Sequence, residues 1–382
     1  MSRRHAVARI DLGAIRANVE ALKARTTAEV LAVVKADGYG HGLVPSARAA
    51  VEGGATWLGT ALLDEALALR AAGITTPRVL AWLLGPGEAC ADALRADVDL
   101  SVNDGWALDE VVAAARETGT TARVHLKVDS GLNRGGAALA DWPDLVVAAR
   151  KAEAEGAVRV VGLWSHFAYA DAPGHPTIAG QAEVFRDAVA HAESAGIDPE
   201  VRHLANSAAT LTAPDQHFDL VRPGIAVYGL SPVPEVGGPS AYGLRPAMTL
   251  AANLVLVKRA PAGSGVSYGH TYTTDRETTL GLVPLGYADG VPRAGGNVGP
   301  VLAAGRRRTV AGRVCMDQFV LDLGDDAAVA GDEVVLFGPG DDGGPTAQDW
   351  ADATDTISYE IVTRVGPRVP RVYVDADREV TP

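Results

Sequence analysis

The chain has 382 residues, enough for one large domain or two of ordinary size, and 47% of them are hydrophobic. The net charge of −13, spread along the chain, disfavours a surface for nucleic acid or anionic membrane. There are two cysteines and no CxxC pair, so we expect a reducing compartment, no disulfide framework and no zinc ribbon. The N-terminus lacks the apolar region of a secretory signal, and no segment has the length of a membrane span, so a cytoplasmic location is expected.

The first two thirds of the chain alternate between strand patterns and helix patterns. A helix is predicted at 11–25, and further helices at 63–72, 104–117, 142–155 and 178–195. The predicted strands are 30–35, 56–61, 78–83, 98–102, 123–128, 159–165, 201–204 and 217–221. Strands that alternate with helices indicate a parallel sheet in an α/β protein, and eight such units fit a (β/α)8 TIM-like barrel. A doubly wound open sheet is the alternative that the same pattern allows.

The character of the sequence changes near residue 235. Residues 232–246 are rich in Pro and Gly and are typical of a linker. After them we predict strands at 247–257, 278–286, 308–314, 318–323 and 332–337, one or two helices at 346–364 and a last strand at 370–375. The prediction is therefore a barrel domain at 1–240 and a smaller, mostly β domain at 241–382. Whether the first ~10 residues pair with the second domain is left open.

Reactive side chains fall at the ends of the predicted barrel strands. The chain has only five lysines, and Lys35 closes the first strand, so we treat it as an amine that could attack a carbonyl. Carboxyl ends of barrel strands form the face on which barrel enzymes build their sites. The other residues predicted at this face are Lys127, Asp129, His166, Asn206, Ser207, Arg222 and Gly224.

The last two strand ends offer a candidate anion site. Gly224 and Ile225 supply backbone N–H groups, and Ser207 stands where a helix is expected to begin; loops at these positions often bind phosphate in barrels. An ordinary turn with an N-cap serine explains the same residues equally well. An amine together with an anion site nevertheless suggests pyridoxal phosphate, joined to Lys35 by a Schiff base, with its phosphate at Tyr39, Ser207, Gly224 and Ile225.

Nine motifs extend this hypothesis over essentially the whole chain. In this order and across two domains they resemble the motifs of the alanine racemases, a barrel family that uses pyridoxal phosphate. They are AVVKADGYGHG (32–42), KVDSGLNRGG (127–136), SHFAYAD (165–171), NSAA (206–209), RPGIAVYG (222–229), VSYGHTY (266–272), LGYADG (285–290), GRVCMDQ (312–318) and ISYEI (357–361).

The resemblance implies interconversion of L-alanine and D-alanine, with D-alanine supplied for peptidoglycan. It also implies a head-to-tail homodimer in which the C-terminal domain of one chain completes the site of the other. Lys35 would then serve as base for the D-isomer and Tyr268, from the partner, for the L-isomer. Free tyrosine has a pKa near ~10, so the phenolate needs support, which the family provides through His166 and Arg222. Arg222 would also face the pyridine nitrogen and keep it largely unprotonated, because guanidinium only donates.

Lys127 presents a separate electrostatic problem. The resemblance places Arg134 near the cofactor's phenolic oxygen and the substrate carboxylate, and Lys127 beside that arginine. Two cations ~4 Å apart would repel by roughly 4 kcal/mol at an effective dielectric near 20. The family's solution is a lysine carbamylated by CO2, so we predict carbamylation of Lys127.

The remaining roles follow from the resemblance alone. Asn206 and Tyr359 are expected to bind the cofactor, and Met316 and Asp317 to border the substrate. Asp171, Tyr287 and Arg293 are expected to line an access corridor. Cys315 is interpreted as a packing residue, and His41 and His203 as structural. Departures from the family are slight: Ser130 stands where threonine is common, and Gly-Pro-Arg occupies 366–368 in place of Ser-Tyr-Arg.

Three rival hypotheses remain at this stage. A metal-dependent barrel hydrolase would use His125, His166, His203, a carbamylated Lys127 and Asp129, but it leaves Lys35 without a role and lacks an HxH motif after the first strand. A non-catalytic pyridoxal phosphate-binding protein would lack the β-rich second domain. A decarboxylase on the same barrel normally has a longer chain. We therefore expect no metal, no nucleic acid and no membrane among the partners.

Overall fold

The computed structural model describes residues 5–375, and the chain divides into two compact units. The barrel unit consists of Ile15–Gly38 and Leu43–Leu244. The β-rich unit consists, within the described residues, of 5–14, the short segment Tyr39–Gly42 and 245–375. Within residues 5–375, no helix is both long enough and apolar enough to cross a membrane.

The barrel unit contains eight parallel strands. After β1 (Ala6–Asp11) and α1 (Leu12–Lys23), its strands are β2 (Glu29–Val33), β3 (Trp57–Thr60), β4 (Arg78–Ala81), β5 (Asp99–Val102), β6 (Ala122–Lys127), β7 (Val158–Trp164), β8 (Val201–His203) and β9 (Leu220–Val221). Each strand from β2 to β7 pairs with the next, and β9 pairs with β2. Backbone N–H groups of Asp219 and Arg222 donate to the Arg202 and Ala205 carbonyls at 3.0 and 2.9 Å, which ties β9 to β8. The predicted (β/α)8 barrel is confirmed.

Helices follow the strands and cover them. They are α2 (Leu43–Glu52), α3 (Leu63–Ala71), α4 (Cys90–Arg95), α5 (Gly105–Thr118), α6 (Trp142–Ala154), α7 (Pro176–Ser194) and α8 (Ser207–Thr212). In α5 the Asp104 side chain accepts a hydrogen bond from the Trp106 N–H, and Gly119 ends the helix in a left-handed conformation. Its buried side chains are Ala107, Leu108, Val111, Ala114 and Ala115, a spacing that gives one apolar face against the sheet.

The barrel strands are almost entirely buried, as expected when helices cover a parallel sheet. Most of their residues are Val, Leu and Ala, which fill the interior and the layer beneath the helices. Polar exceptions in these strands include the ionisable side chains of Asp99, His125 and His203, which are fully buried. Buried polar groups are costly unless they are hydrogen-bonded, so these three require partners.

The β-rich unit is built on a nine-stranded sheet. Its other elements are β10 (Met248–Asn253), β11 (Leu256–Ala260), β12 (Gly265–Val266), β13 (Tyr272–Thr273), β14 (Thr278–Val283), β15 (Pro300–Ala303), β16 (Arg306–Ala311), β17 (Phe319–Gly324), β18 (Glu333–Phe337), α9 (Ala347–Ala353), α10 (Ser358–Thr363) and β19 (Arg371–Val374). The sheet order is β11-β14-β17-β16-β15-β18-β10-β1-β19, and β12 with β13 forms a separate hairpin. The N-terminal strand β1 therefore lies inside this unit, antiparallel to β10 and parallel to β19.

Several predicted boundaries move in the structure. The first barrel strand was expected to reach Lys35 but ends at Val33. The run 247–257 is divided between β10 and β11, and β15 was not predicted. The stretch 346–364 holds two helices, because Asp355 adopts a left-handed conformation (φ 54°) that cannot continue α9.

Candidate active site

Lys35 begins a left-handed turn at the end of β2. Ala36, Asp37 and Tyr39 have φ between 51° and 53°, a region that costs an ordinary residue about 1–2 kcal/mol. Two hydrogen bonds hold the turn: Ala36 N–H donates to Glu65 Oε1 at 2.6 Å, and Asp37 Oδ1 accepts from the Leu43 N–H at 2.8 Å. The lysine thus leaves the strand on a fixed but strained backbone, a combination frequent at functional sites.

The Lys35 amine lies in an environment that disfavours its charge. Burial lowers its pKa, and the positive charge of Arg134 lowers the pKa further, while Glu65 opposes both. Its Nζ atom lies 5.9 Å from the ring centroid of Trp82. A lower pKa increases the fraction of neutral amine, the form that attacks a carbonyl or accepts a proton.

Lys127 is the last residue of β6, and Arg134 stands in the loop that follows. Asp129 shapes this loop, since its Oδ1 accepts the backbone N–H groups of residues 131–133 at 2.9, 3.0 and 3.1 Å. Burial, followed by the positive charges of Arg222 and Arg134, lowers the pKa of Lys127 to about 8, and Asp129 opposes this lowering. Lys127 therefore lies near enough to both arginines for their charges to act on its amine.

Arg222 is buried and directs its guanidinium at four acceptors. Nη1 lies 3.1 Å from His203 Nδ1, and Nη2 lies 2.8 Å from the Ser165 carbonyl, 3.3 Å from the Leu204 carbonyl and 3.2 Å from His166 Nδ1. None of these four partners is a carboxylate. Burial lowers the pKa of Arg222 to about 9, which leaves the group cationic at neutral pH.

His166 is neutral in this environment. Burial lowers its pKa well below the usual range, and the charges of Arg222, Arg134, Lys127 and Lys35 lower it further. A guanidinium only donates, so His166 Nδ1 must accept and the ring proton must reside on Nε2. The imidazole can therefore donate one hydrogen bond from Nε2 to another group.

Trp164, which the sequence analysis did not single out, lies against two of these cations. Lys127 Nζ is 4.4 Å and Arg222 Cζ 4.9 Å from its ring centroid, and its indole N–H donates to Ser101 Oγ at 2.9 Å. Cations over an indole face are attracted by the ring quadrupole. The only signal in the sequence was position, since Trp164 directly precedes the motif that contains His166.

The predicted anion site is assembled around Ser207. Its Oγ accepts the backbone N–H of Gly224 at 2.7 Å and of Ala226 at 3.4 Å. Ile225 is fully buried and begins the 3₁₀ turn Ile225–Tyr228, while Asn206 caps α8 through a hydrogen bond from the Ala209 N–H. A hydroxyl and a series of backbone amides converge in a small buried region, which suits a phosphate group.

In the β-rich unit, two predicted motifs are tied together. The Tyr287 N–H donates to the Cys315 carbonyl, and the Ala288 N–H to the Met316 carbonyl, each at 3.0 Å. Gly286 is required at this contact, because a Cβ there would lie 2.2 Å from the Met316 oxygen. Tyr287 and Met316 remain exposed, at 42% and 53% of their surface.

Tyr268 lies on the turn between β12 and β13 and is 72% exposed. The preceding residue, Ser267, has a left-handed φ of 62° and donates through Oγ to the Arg313 carbonyl at 2.8 Å. The same Oγ lies 3.4 Å from Cys315 Sγ, so the Tyr268 turn packs beside the Met316 loop. Asp317 extends this exposed cluster and binds Arg368 at 2.7 Å.

Four further predicted residues lie in the two units. Tyr39 belongs to the β-rich unit, where its ring centroid lies 6.3 Å from that of Tyr359. Burial raises the pKa of Tyr39, and Tyr359 raises it further, so Tyr39 remains a hydrogen-bond donor at neutral pH. Asp171, in the barrel unit, and Arg293, in the β-rich unit, are both exposed.

The side chains of the barrel unit fit pyridoxal phosphate. They supply an amine of lowered pKa at Lys35, a hydroxyl and amide site at Ser207 and a buried guanidinium at Arg222. The hydrolase hypothesis needs a different arrangement, and His125 and His203 are instead bonded to each other at 2.9 Å. Among residues 5–375, no group of three or more His, Cys, Asp or Glu side chains is placed to hold a metal ion.

Comparison with known proteins covers both units. The family described as alanine racemase, N-terminal domain, matches residues 10–232, and the alanine racemase C-terminal domain matches residues 247–373. The alanine racemase of Frankia casuarinae is 67% identical over 366 residues, which are 96% of this chain and 95% of the relative. That of Streptomyces coelicolor is 63% identical over 373 residues, covering 96% and 95%. The crystal structure of alanine racemase from D-cycloserine-producing Streptomyces lavendulae superposes with a TM-score of 0.97, at 60% identity and 98% coverage of both chains.

Proposed function

The chain belongs to the alanine racemase family, and from this premise we propose that it interconverts L-alanine and D-alanine with pyridoxal phosphate as cofactor. The observation that carries the proposal is the Lys35 amine of lowered pKa in a barrel that also has an amide and hydroxyl site at Ser207. The relatives do not favour a decarboxylase or a non-catalytic carrier.

Pyridoxal phosphate, when bound, withdraws electrons from the substrate and so acidifies its Cα–H bond. Lys35 would hold the aldehyde carbon, and Ser207, Gly224 and Ile225 the phosphate, together with Tyr39 and Tyr359. Asn206 supports this site by capping the helix that begins at Ser207.

Racemisation requires a proton to leave one face of Cα and another to arrive at the opposite face. Two fixed bases accomplish this without movement of either. Lys35, displaced by the substrate amine, would exchange the proton of the D-isomer, and Tyr268 that of the L-isomer. His166 supports the second role, because a neutral ring with its proton on Nε2 can donate to the phenolate oxygen of Tyr268.

Arg222 would face the pyridine nitrogen of the cofactor. A guanidinium surrounded by neutral acceptors keeps its full charge and offers only N–H donors, so it does not protonate that nitrogen. Arg222 would in this way keep the bound cofactor a weaker electron sink and so limit misplaced protonation and transamination.

Lys127 would be carbamylated. Its pKa of about 8 leaves a useful fraction of neutral amine at pH 7 to 8. The nitrogen lone pair forms a bond to the carbon of CO2, and loss of the N–H proton to water leaves a carbamate anion that can pair with Arg134. Intact mass measured in CO2-equilibrated native buffer should exceed that of Lys127→Met, after correction for the substitution, by the mass of one CO2. A bare amine in a well-ordered site would contradict this assignment.

The exposed cluster in the β-rich unit supports a homodimer with shared sites. Tyr268, Met316 and Asp317 project into solvent from one chain, as expected of groups that complete a partner's site. In the head-to-tail arrangement they would border the substrate, and Asp171, Tyr287 and Arg293 would line the access corridor. We further propose a cytoplasmic location and D-alanine supply for peptidoglycan; depletion of the protein should then create a requirement for D-alanine.

Mixing two inactive variants tests the sharing of sites. Lys35→Ala and Tyr268→Phe are each expected to be inactive, but a heterodimer would contain one site with both native residues. After subunit exchange, statistical pairing should restore about one quarter of wild-type activity. Absence of any recovery, with exchange verified by mass labels, would place both bases in one chain.

Proton exchange in D2O tests the chemistry itself. L-alanine and D-alanine are incubated separately with wild type and with Tyr268→Phe, and Cα–H loss is followed by NMR. We expect wild type to exchange both isomers and the variant to exchange D-alanine only. If wild type binds the cofactor but exchanges neither isomer, the proposed activity is wrong.

A further inference from the structure

A buried column of polar side chains continues from Arg222 into the barrel interior. His203 lies 3.1 Å from Arg222 through Nδ1 and 2.9 Å from His125 Nδ1 through Nε2. His125 Nε2 lies 3.5 Å from Asp99 Oδ2. Asp99, His125 and His203 are each fully buried, and Arg222 is 4% exposed. From the sequence, His203 was interpreted as structural. That interpretation does not explain why its ring connects Arg222 with His125.

The column has one direction of hydrogen bonding. Arg222 can only donate, so His203 Nδ1 must accept and the proton of that ring must lie on Nε2. His203 then donates to His125 Nδ1, which places the second proton on His125 Nε2. That atom lies 3.5 Å from Asp99 Oδ2, a polar contact that does not meet hydrogen-bond geometry. Burial, and after it the charge of Arg222, lowers the pKa of His203 well below its usual range, so the ring is neutral.

The two histidines of the column also separate the charge of Arg222 from that of Asp99. A carboxylate bonded directly to Arg222 would neutralise much of its charge, whereas two neutral imidazoles separate Arg222 from Asp99. Asp99 is held at its own end by Arg123 Nε at 3.1 Å, and Arg78 lies 3.7 Å away. The guanidinium is thus fixed in orientation by neutral acceptors and keeps its charge for whatever faces it.

We propose that Asp99, His125 and His203 are positioning residues for Arg222, acting through an ordered chain of two neutral histidines with protons on Nε2. The proposal rests on the proposed function in one respect: Arg222 is taken to face the reacting centre. Nothing in the column touches the substrate, so its members act only through the orientation and charge of that guanidinium.

The first test observes the tautomers directly. Cofactor-free protein labelled with ¹⁵N-histidine is examined by long-range ¹H–¹⁵N NMR, and resonances are assigned with His125→Asn and His203→Asn. We expect both rings to be neutral at pH 7, with the proton on Nε2. A proton on Nδ1 of either ring, or a charged ring, would overturn the proposal. If the tautomers are as expected but wild type does not racemise alanine, the column is supported and the proposed function fails.

The second test separates positioning from simple packing. His203→Leu removes the acceptor for Arg222, whereas His203→Asn can keep one near the position of Nδ1. Leaving a buried donor unsatisfied should lower kcat about tenfold in His203→Leu, with recovery to within about threefold in His203→Asn. His125→Leu should lower kcat by a smaller factor, since His125 contacts Arg222 only through His203.

His217 provides the matched control. It is a buried histidine bonded to Thr26 Oγ1 at 2.8 Å and to the Thr210 carbonyl at 3.1 Å, outside the column. His217→Leu should lower the melting temperature but keep kcat per folded site. If His203→Leu behaves as His217→Leu does, or if His203→Asn gives no recovery, the column is only packing and the proposal is overturned.

Discussion

The two units present their predicted site residues in opposite ways. In the barrel unit Arg222 is buried, and four acceptors at the ends of β7 and β8 fix its guanidinium. In the β-rich unit Tyr268 and Met316 expose more than half of their surface. The barrel therefore fixes its reactive groups before any ligand arrives, and the β-rich unit leaves its own available to a second molecule.

The site residues of the two units also differ in how much they cost in stability. Groups that are buried with like charges nearby cost stability, and the lowered pKa values of Lys35 and Lys127 record that cost. Exposed groups such as Tyr268 cost little, because water solvates them in the folded and unfolded chain alike. Substitutions in the two units should therefore separate effects on activity from effects on stability.

The largest expected effect is on catalysis, from Tyr268→Phe. Loss of a proton-transfer group should lower turnover with L-alanine by roughly 10²- to 10⁴-fold. The melting temperature of the variant should equal that of wild type, because the hydroxyl belongs to an exposed ring. Racemisation assays and thermal unfolding check this pair of outcomes. Full turnover in the variant would remove Tyr268 from the proposed mechanism.

A smaller effect, on stability, is expected from Lys127→Met in CO2-free buffer. The folded-state pKa is about 8 against a reference of 10.5, so the folded chain binds the proton less tightly than the unfolded chain. Below pH 8 this costs the wild type its full penalty, and the variant should be more stable by about 3 kcal/mol. The difference should shrink as the pH rises from 8 to 10.5.

Urea unfolding at several pH values measures this difference. Lys258→Met is the control, since Lys258 is an exposed residue of β11 in the β-rich unit. That substitution should leave the pH dependence of unfolding unchanged. Equal pH profiles for Lys127→Met and wild type would show that the folded barrel does not strain the Lys127 charge.

The smallest effect is expected from Arg368→Ala, which tests how firmly the exposed cluster is held. Arg368 binds Asp317 at 2.7 Å and Asp289 at 3.1 Å, and Asp289 is buried. Removing it should lower the unfolding free energy, mainly because the buried carboxylate of Asp289 loses a cation. Arg364→Ala breaks only an exposed pair with Glu360 and should cost less than about 0.5 kcal/mol. Equal losses would show that Asp289 does not depend on Arg368.

The fold was predictable because its signals are local and repeated. Apolar runs that alternate with helical patterns indicate a parallel barrel wherever each boundary falls, and reactive residues at strand ends then share one face. The same reasoning could not foresee the backbone after β2. Ala36 and Asp37 adopt left-handed conformations that their type disfavours, so only Gly38 and Gly40 signalled a turn there.

Contacts across the barrel could not be predicted from the sequence either. His125 and His203 are 78 residues apart, and no spacing rule indicates that their rings meet. Trp164 contacts Lys127 and Arg222 through its ring faces, which depends on the register between β6, β7 and β8. Such pairings follow from tertiary geometry, so the sequence predicted which strand ends carry the site but not how its charges are supported.

Trp164 lies where its fluorescence can report the charge carried by Lys127. Its indole lies 4.4 Å from Lys127 Nζ, so carbamylation would replace a positive charge over the ring by a negative one. Indole emission responds to the electric field across the ring, and the fluorescence of cofactor-free protein should therefore shift when CO2 is added or purged. The shift should vanish in Trp164→Phe, which leaves the other five tryptophans as an unchanged background. The binding and release of CO2 at Lys127 could then be followed in real time, without labels and without turnover.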